Sequence, residues 1–197
     1  MGIGTYGFCG NARGAAGLKC VLSADVCEHR LRTGKKMFPK MDMGVMKVVD
    51  FEVGPDITAT ARASFDAAPH GFFLLITTTC LGFSTANRLN NILPKQLREG
   101  YWMLPRIIYI FLALDVGSLI PAGFIENSPM LVDEDESNGP TPWTMSRDRL
   151  IQAGFHIQVR KRLCMTTTGG SNKRRRAGIL FWRAPSGEPP ECRTIYV

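Results

Sequence analysis

The sequence predicts an α+β fold in which a mainly antiparallel, curved sheet packs against two or three helices. Three features indicate this fold: strict apolar and polar alternation at residues 155–160, an apolar segment of helix length at 105–114, and an N-terminal stretch with many glycines and little periodicity. With 197 residues, 45% of them hydrophobic, the chain can bury one core. We therefore expect a single α+β domain at 41–197, preceded by a basic, Gly- and Cys-rich flexible arm at 1–40.

Residues 154–184 predict the closing ribbon of the sheet. Phe155 to Arg160 alternates between apolar and polar side chains, and residues 179–182 supply a second short apolar run. The residues between them, 166–176, are rich in Thr and Gly and predict a long turn that ends in four consecutive cations. The two strands therefore carry a basic tip, which is suited to contact an anion.

Earlier segments predict the rest of the sheet and its helices. Residues 45–65 contain two alternating, β-branched runs around a Gly-Pro-Asp turn, so we expect a strand from each run. Residues 72–83 also contain β-branched side chains, but the length of the segment favours a helix. The apolar segment 105–114 begins with a proline and predicts a buried core helix or strand. Residues 147–153 predict a short helix with Gly154 at its C-terminal cap.

Charge is distributed unevenly along the chain, which carries a net charge of +7. Residues 1–40 hold seven Lys and Arg against two acids, residues 41–146 hold six against twelve, and residues 147–183 hold ten against one. This pattern suits binding to phosphates or anionic lipid, and association between basic and acidic faces of neighbouring copies. The cations that we expect to contact an anionic partner are Lys35, Lys36, Lys40, Arg160, Lys161, Arg162, Lys173, Arg174, Arg175 and Arg176.

Four adjacent carboxylates predict a solvated acidic loop: Asp133, Glu134, Asp135 and Glu136. Mutual repulsion keeps such a run of charges in water. The spacing lacks the alternation and the glycine of an EF-hand loop, so we expect no metal there. The loop is instead expected to meet the basic tip of a neighbouring copy, and such head-to-tail contacts propagate into an open lattice.

The cysteines and the N-terminus give weak signals. Four residues have side chains that could surround a zinc ion: Cys9, Cys20, Cys27 and His29. Structural zinc sites usually present paired ligands about two to four residues apart, and only one pair in this set comes close, so zinc binding stays open. Cys80 lies in an apolar segment and is interpreted as a small core residue. Gly2 is a weak candidate for acylation, because Tyr6 stands where the acylation pattern has Ser or Thr.

No motif of a known catalytic or cofactor site occurs in the sequence. It lacks a phosphate-binding loop, a dinucleotide fingerprint, a zinc-protease helix motif and a nucleophile elbow. Its three histidines lie far apart in the sequence. We therefore expect a binding or assembly protein rather than an enzyme, with no cofactor and no small-molecule substrate.

Two parts of the sequence, and the order of its predicted elements, resemble the matrix proteins of rhabdoviruses. Residues 111–124, which run from the end of the apolar segment through Pro121 to Phe124, are similar to the helix end and Pro-containing turn of animal rhabdovirus matrix proteins. Residues 154–159 and 178–182 are similar to the last strand pair of those proteins. The chain departs from the family because residues 1–40 lack a Pro-Pro-x-Tyr budding motif, which favours a divergent plant or invertebrate virus.

The resemblance implies a viral matrix protein that self-assembles under the envelope as an open lattice or helical homo-oligomer. The implied partners are the viral nucleocapsid, which the protein condenses, and the anionic face of a membrane, with the ten cations above at the contact. The implied location is the virion beneath the envelope, the host cytoplasm and the inner membrane face, and the nucleus if the basic cluster is an import signal. No transmembrane segment is expected, because the apolar segment is shorter than the ~20 residues that a span needs.

Direct RNA binding is the alternative interpretation. An RNA-binding viral coat protein or silencing suppressor would place Lys173 to Arg176 on phosphates and stack Phe181 or Trp182 on bases. Both aromatic residues lie in an apolar run of the kind that fills a core, which favours the matrix interpretation.

Overall fold

The computed structural model of this chain describes residues 22–25, 29, 32–33, 36, 42–45, 73–78, 80, 82–83, 94–98, 100–114, 120–133, 137, 139–164 and 175–183, with backbone alone at 22–25, 42–45, 114 and 162–164. The chain divides into two compact units, residues 1–70 and 71–197. The predicted division into an arm at 1–40 and a domain at 41–197 stays a prediction.

The first unit contains a parallel pair of short strands. Strand β1 (Leu22–Asp25) pairs with β2 (Asp42–Val45), with Leu22 opposite Asp42. Parallel strands need a crossover between them. Residues with helical backbone lie in that crossover, and the Thr33 hydroxyl donates to the His29 carbonyl at 3.0 Å.

The second unit is built on a mixed sheet of four strands. Its strands are β3 (Phe73–Thr77), β4 (Ala122–Asn127), β5 (His156–Cys164) and β6 (Arg175–Trp182). The order across the sheet is β3-β4-β6-β5, in which β3 and β4 are parallel and the other two pairs are antiparallel.

The described part of the second unit also contains two α-helices and two short 3-10 helices with the bounds that follow. Helix α1 (Met103–Leu114) lies in the crossover between the parallel strands, and α2 (Pro142–Gln152) precedes β5. The 3-10 helices span Lys95–Leu97 and Pro129–Leu131. The α+β class predicted from the sequence is therefore confirmed.

One face of the sheet forms the core of the second unit. Gly123, Ile125 and Asn127 are buried on β4, and their register partners Phe181, Ile179 and Ala177 are buried on β6. Residues paired across a ladder point to the same side of a sheet, so these side chains meet in one layer. Helix α1 packs on α2, and Arg149 lies over the ring of Tyr109 at 4.9 Å.

Helix α2 begins earlier than the sequence analysis predicts. Thr141 is its N-cap: the Thr141 hydroxyl accepts a hydrogen bond from the Thr144 backbone N–H at 3.2 Å, and the Thr141 backbone N–H donates the reciprocal bond to Thr144 Oγ1 at 2.8 Å. Such a capping box, followed by a proline in the first turn, fixes the start of a helix. Gly154 follows the last turn with φ +83°, a conformation that favours glycine, as the sequence predicts.

The structure corrects two further element predictions and leaves others untested. Residues 73–77 form a strand rather than a helix, because they pair in parallel with β4. The apolar segment, for which the sequence left helix and strand as alternatives, is a helix that begins at Met103. The ribbon is confirmed, although Arg175 and Arg176 lie inside β6 rather than in the turn. Apart from Val45 in β2, the two strands predicted within 45–65 lie outside the described residues.

Neither α-helix described above is long and apolar enough to cross a bilayer.

Gly123 tests the packing between β4 and β6. A Cβ atom at this position would lie 2.1 Å from the Phe181 ring and 2.6 Å from the Leu74 carbonyl oxygen. We expect Gly123→Ala to lower the free energy of unfolding by about 1–3 kcal/mol, because neither neighbour can move without disturbing the core. Urea unfolding followed by tryptophan fluorescence measures this, since all three tryptophans lie in the second unit.

Ala122→Ser is the matched control, because Ala122 is half-buried and its side chain points to the opposite face of β4. We expect it to change the free energy of unfolding by about 0.5 kcal/mol or less. Equal effects of the two substitutions would contradict the packing described here.

Candidate active site

Several polar residues of the second unit lie where β3 and β4 end together. Thr77 is the register partner of Glu126, so the two parallel strands leave the sheet at the same edge. Open sheets with parallel strands bind ligands outside the carboxyl ends of those strands. Strand β6 runs the opposite way and begins at this edge with Arg175 and Arg176. We call this end of the sheet the site edge.

Asn127 ties the segment after β3 to the end of β4. Its side chain is 1% exposed, and its Nδ2 donates to Thr78 Oγ1 at 2.5 Å and approaches the Thr78 carbonyl at 3.4 Å. Its Oδ1 accepts from the Ser128 backbone N–H at 2.6 Å. A buried amide with its donor and acceptor both engaged holds its partners in place, since breaking one bond leaves a polar group unpaired.

Cys80 lies just beyond this link, at the first position of a tight turn. The Phe83 backbone N–H donates to the Cys80 carbonyl at 3.0 Å. Gly82 is pressed against the backbone of Tyr101, where an added Cβ would stand 2.8 Å from the Tyr101 Cα. Phe83 stacks on the Tyr101 ring at 5.2 Å between centroids. The turn is therefore anchored just before α1, and the Cys80 side chain is half-buried and forms no disulfide.

Glu126 projects from the opposite face of β4 and forms an ion pair with Arg176. The pair joins Arg176 Nε to Glu126 Oε1, and the two side chains are 14% and 32% exposed. The register explains how they meet: Gly178 lies opposite Glu126, and Arg176 is two residues before it on the same face. Because Gly178 has no side chain, the arginine can cross diagonally to the carboxylate.

The site edge thus contains a cysteine three residues beyond the end of β3, together with a carboxylate and a guanidinium that contact each other, Glu126 and Arg176. A cysteine thiolate is a strong nucleophile toward carbon, and a positioned carboxylate or carboxylic acid can move a proton. The guanidinium orients the carboxylate, because partly buried charge pairs hold a preferred geometry.

A shallow cleft of about 670 Å³ lies between α2 and the start of β5. It is lined by Trp143, Arg147, Ile151 and His156 among others. His156 pairs with Trp182 at the far end of β6, so the cleft lies at the edge of the sheet opposite the site edge. Its described lining contains neither Cys80 nor Glu126.

The predicted anion-binding cations that the structure describes have different surroundings. Lys36, Arg160, Lys161 and Arg175 are exposed. Lys161 Nζ lies 3.0 Å from Asp133 Oδ1 of the same chain, whereas Arg176 is engaged with Glu126. The predicted contact of these cations with an anion, and that of the acidic loop with a neighbouring copy, stay predictions.

The remaining predicted site residues lie outside what the structure describes, apart from exposed His29 and the backbone of Arg162. They are Gly2, Cys9, Cys20, Cys27, Lys35, Lys40, Glu134, Asp135, Glu136, Lys173 and Arg174.

Sequence reasoning missed Cys80, Glu126 and Asn127. The apolar neighbours of Cys80 favour its interpretation as a small core residue. The glycine two positions later is the sequence feature that indicates a turn after the apolar run. Glu126 and Asn127 form a charged and amide pair at the end of an apolar strand. Polar residues at the end of an apolar strand, or directly after it, are the signal in the sequence that could have identified this edge.

The scan against protein-family models finds no match, and the search of curated proteins finds none either.

Solved structures do match, and they are methyltransferases. A DNMT2 mutant from Spodoptera frugiperda aligns with a TM-score of 0.62 at 18% identity, over 98% of this chain. Dnmt2 from S. pombe aligns with a TM-score of 0.59 at 17% identity, over 95% of this chain. An E. coli prophage protein described as a DNA modification methyltransferase aligns with a TM-score of 0.59 at 14% identity, over 85% of this chain.

The chain shares the fold of these methyltransferases. It spans about half of their length, since the alignments cover 51%, 50% and 41% of the three matched chains.

This similarity corrects the functional expectations drawn from the sequence. The resemblance to rhabdovirus matrix proteins is wrong, as are the viral matrix function and its partners, because the matched structures are methyltransferases. The virion location has no support. The expectation of a non-enzymatic protein without a small-molecule substrate is contradicted by the same finding. The alternative of a viral coat protein or silencing suppressor has no support.

The physical reason for the error lies in how local the matching segments are. Residues 122–124 are the first half of β4 rather than part of a turn. The pair β5–β6, which contains most of residues 154–159 and 178–182, belongs to a sheet that also contains a parallel pair. Apolar helices and hairpins occur in many unrelated folds, so a match of this kind carries little information about function.

The hydrogen bond between Thr78 and Asn127 can be tested by a double-mutant cycle. We expect Thr78→Val and Asn127→Leu each to lower the free energy of unfolding by about 1–3 kcal/mol, because each leaves a polar partner unsatisfied. The double variant should lose less than the sum of the two, with a coupling of about 1 kcal/mol. Strict additivity in urea unfolding would show that the two side chains do not interact.

Proposed function

We propose that this chain is part of a methyltransferase that modifies a ring carbon of a nucleic-acid base, with Cys80 as the nucleophile. The observation that carries the proposal is the presence of Cys80 and Glu126 at one edge of the sheet in a methyltransferase fold. The description of the E. coli prophage protein as a DNA modification methyltransferase supports a nucleic-acid substrate. Because the chain spans half the length of these proteins, the activity of the whole protein is part of the proposal.

The cysteine points to carbon as the atom that is methylated. Exocyclic amino groups are nucleophilic enough to accept a methyl group directly. The ring carbon C5 of a pyrimidine is not, unless a nucleophile first adds to C6 of the same ring. Covalent catalysis by a positioned thiolate divides such a difficult step into two easier ones. A thiol at the site edge is therefore most useful to a pyrimidine C5 methyltransferase.

In the proposed reaction the Cys80 thiolate forms a bond to C6 of the pyrimidine, and the electron pair of the C5–C6 double bond moves toward C5 and the ring nitrogen. Glu126, which faces the site edge, is placed to hydrogen-bond or protonate that nitrogen. C5 would then take the methyl group, while the electron pair of the broken bond leaves with the donor. Water would remove the C5 proton, and the electron pair of the C5–H bond would restore the double bond and expel the thiolate, as the ring nitrogen returns any proton to Glu126. The Cys80 side chain thus ends as it began.

The methyl donor would supply an electrophilic methyl group, and no described residue is assigned to it. The link from Asn127 to Thr78 and the turn at Gly82 would keep the thiol in one position relative to Glu126. Such positioning lowers the barrier because the reacting groups need not be ordered during the reaction.

Cys80 is tested by covalent trapping. A fluorine at C5 cannot leave as a proton, so an oligonucleotide that contains 5-fluorocytosine should stay bonded to the thiol once the methyl group is added. We expect the wild-type chain, incubated with S-adenosylmethionine and such an oligonucleotide, to form an adduct that survives denaturation and is located on Cys80 by peptide mass spectrometry. Cys80→Ser should lower adduct formation by at least about 10³-fold.

Cys192→Ser is the control for the loss of one thiol, and it should form the adduct as the wild type does. Adduct on another cysteine, or methyl transfer undiminished in Cys80→Ser, would rule out the assigned role of Cys80.

Glu126 is tested by Glu126→Gln, which keeps the shape of the side chain and removes its acidic proton. We expect methyl transfer from tritiated S-adenosylmethionine to polynucleotide to fall by about 10²–10⁴-fold, the usual contribution of a positioned acid or base. Asp148→Asn is the matched control, because Asp148 is exposed on α2 and bonded to its neighbour Arg147 at 2.9 Å. Similar rates for Glu126→Gln and wild type would remove Glu126 from the mechanism.

A further inference from the structure

Three exposed cations lie on the β5–β6 pair near the site edge: Arg160, Lys161 and Arg175. We call them the cationic ridge. Arg160 and Lys161 belong to the second half of β5, and Arg175 is the first residue of β6, where it pairs with Cys164. Arg176 is excluded from the ridge because its guanidinium is engaged with Glu126.

The strand register places Arg160 on the same face of the sheet as Glu126. Gly178 of β6 is the partner of Glu126 on one side and of Arg160 on the other. Partners across a ladder point to the same face, and adjacent strands lie ~4.8 Å apart, so the Cα atoms of Glu126 and Arg160 are separated by roughly 10 Å. Gly178 between them has no side chain. Arg160 therefore faces the same space as the proposed catalytic carboxylate.

A bulge in β5 explains why two consecutive cations are both exposed. In a regular strand one of two neighbouring side chains would point to the core. The register shifts between Arg160 and Leu163, and such an extra residue re-aims the side chains around it. Lys161 consequently reaches solvent with 59% of its side chain exposed and meets Asp133 across the surface.

We propose that the cationic ridge binds the phosphodiester backbone of a polynucleotide next to the base presented to Cys80. This inference rests on the proposed function, and it adds which surface of the chain holds the strand that carries the base. Contacts from Arg and Lys to phosphates fix the position of a nucleic acid without reading its sequence. The ridge would hold the strand about one strand pair away from Glu126, so that an unstacked base can reach the thiol.

Asp133 gives the proposal a second observable feature. Its ion pair with Lys161 is exposed on both sides, at 38% and 59%, and such surface pairs contribute little to stability. A phosphate can therefore replace Asp133 at Lys161 at small cost. The carboxylate competes with the polynucleotide, so its removal should strengthen binding.

The experiment measures binding separately from chemistry. Fluorescein-labelled oligonucleotides of random sequence, as single-stranded DNA and as RNA, are titrated with the full chain at several salt concentrations, and anisotropy gives Kd. The ridge variant carries Arg160→Gln, Lys161→Gln and Arg175→Gln. The control variant has the same loss of charge at three cations elsewhere, Arg32→Gln, Lys95→Gln and Arg98→Gln, of which Arg32 and Lys95 are exposed and Arg98 is half-buried. Sedimentation with vesicles that contain phosphatidylserine is measured in parallel.

We expect the ridge variant to bind at least about tenfold more weakly at low salt, and its plot of log affinity against log salt to be shallower by about 2, since each phosphate contact on a single strand contributes ~0.7 to the slope. The control variant should bind as the wild type does. Asp133→Asn should bind about two- to threefold more tightly. The DNA and RNA arms show which backbone the ridge prefers.

Equal weakening in the ridge and control variants would overturn the proposal, as would binding to vesicles without binding to either oligonucleotide. If the ridge variant fails to fold, the test is the affinity of Asp133→Asn for the oligonucleotides. An affinity equal to or lower than that of the wild type would overturn the proposal. If the ridge variant binds oligonucleotide with wild-type affinity and forms the adduct at Cys80, the proposed function stands and the proposed binding role of the ridge is wrong. If the ridge variant loses affinity but the wild-type chain forms no adduct, the binding role of the ridge stands and the proposed reaction is wrong.

Discussion

The parallel pairing of β3 with β4 is the constraint on which the candidate active site depends. Its register sets Thr77 beside Glu126, and the chain leaves both strands at the same edge. Parallel strands can be joined only by a crossover, and here the crossover contains the turn with Cys80 and the whole of α1. Cys80 follows the last residue of β3 by three positions, so the pairing sets the edge of the sheet at which its turn begins. The Asn127–Thr78 hydrogen bond and the packing of Gly82 on Tyr101 then hold the segment after β3 in place.

Asn127 and Glu126 use the alternation of a strand to serve two purposes. Asn127 points into the core, where its amide fastens the segment that leads to Cys80. Glu126 points to the other face, where Arg176 holds its carboxylate. Asn127 supports the segment after β3 and its neighbour Glu126 lies on the other face, since successive side chains of a strand lie on opposite faces. This division explains why a charged residue can stand beside a fully buried one at the same strand end.

Glycine at three positions allows the close approaches on which the site edge relies. Gly82 lets the Cys80 turn press against Tyr101, and Gly123 lets the Phe181 ring lie over β4. Gly178 leaves space on the face where Glu126, Arg176 and Arg160 project. A side chain at any of them would separate groups that the fold places near one another. The arrangement of the site edge therefore depends on three positions that have no side chain as well as on its polar side chains.

The sequence by itself determined the features that are encoded over a few residues. The alternation from Phe155 to Arg160 identified β5, because the pattern has the period of a strand. The proline and apolar run located α1 but left helix and strand as alternatives, since an unbroken apolar run suits either element. Gly154 identified the end of α2 for a similarly local reason. The tertiary structure alone decided that residues 73–77 are a strand, since their apolar run suits either element until β4 is available as a partner. It also decided that Cys80, Glu126 and Arg176 share one edge, because long-range pairing brings together residues whose local sequence carries no sign of the others.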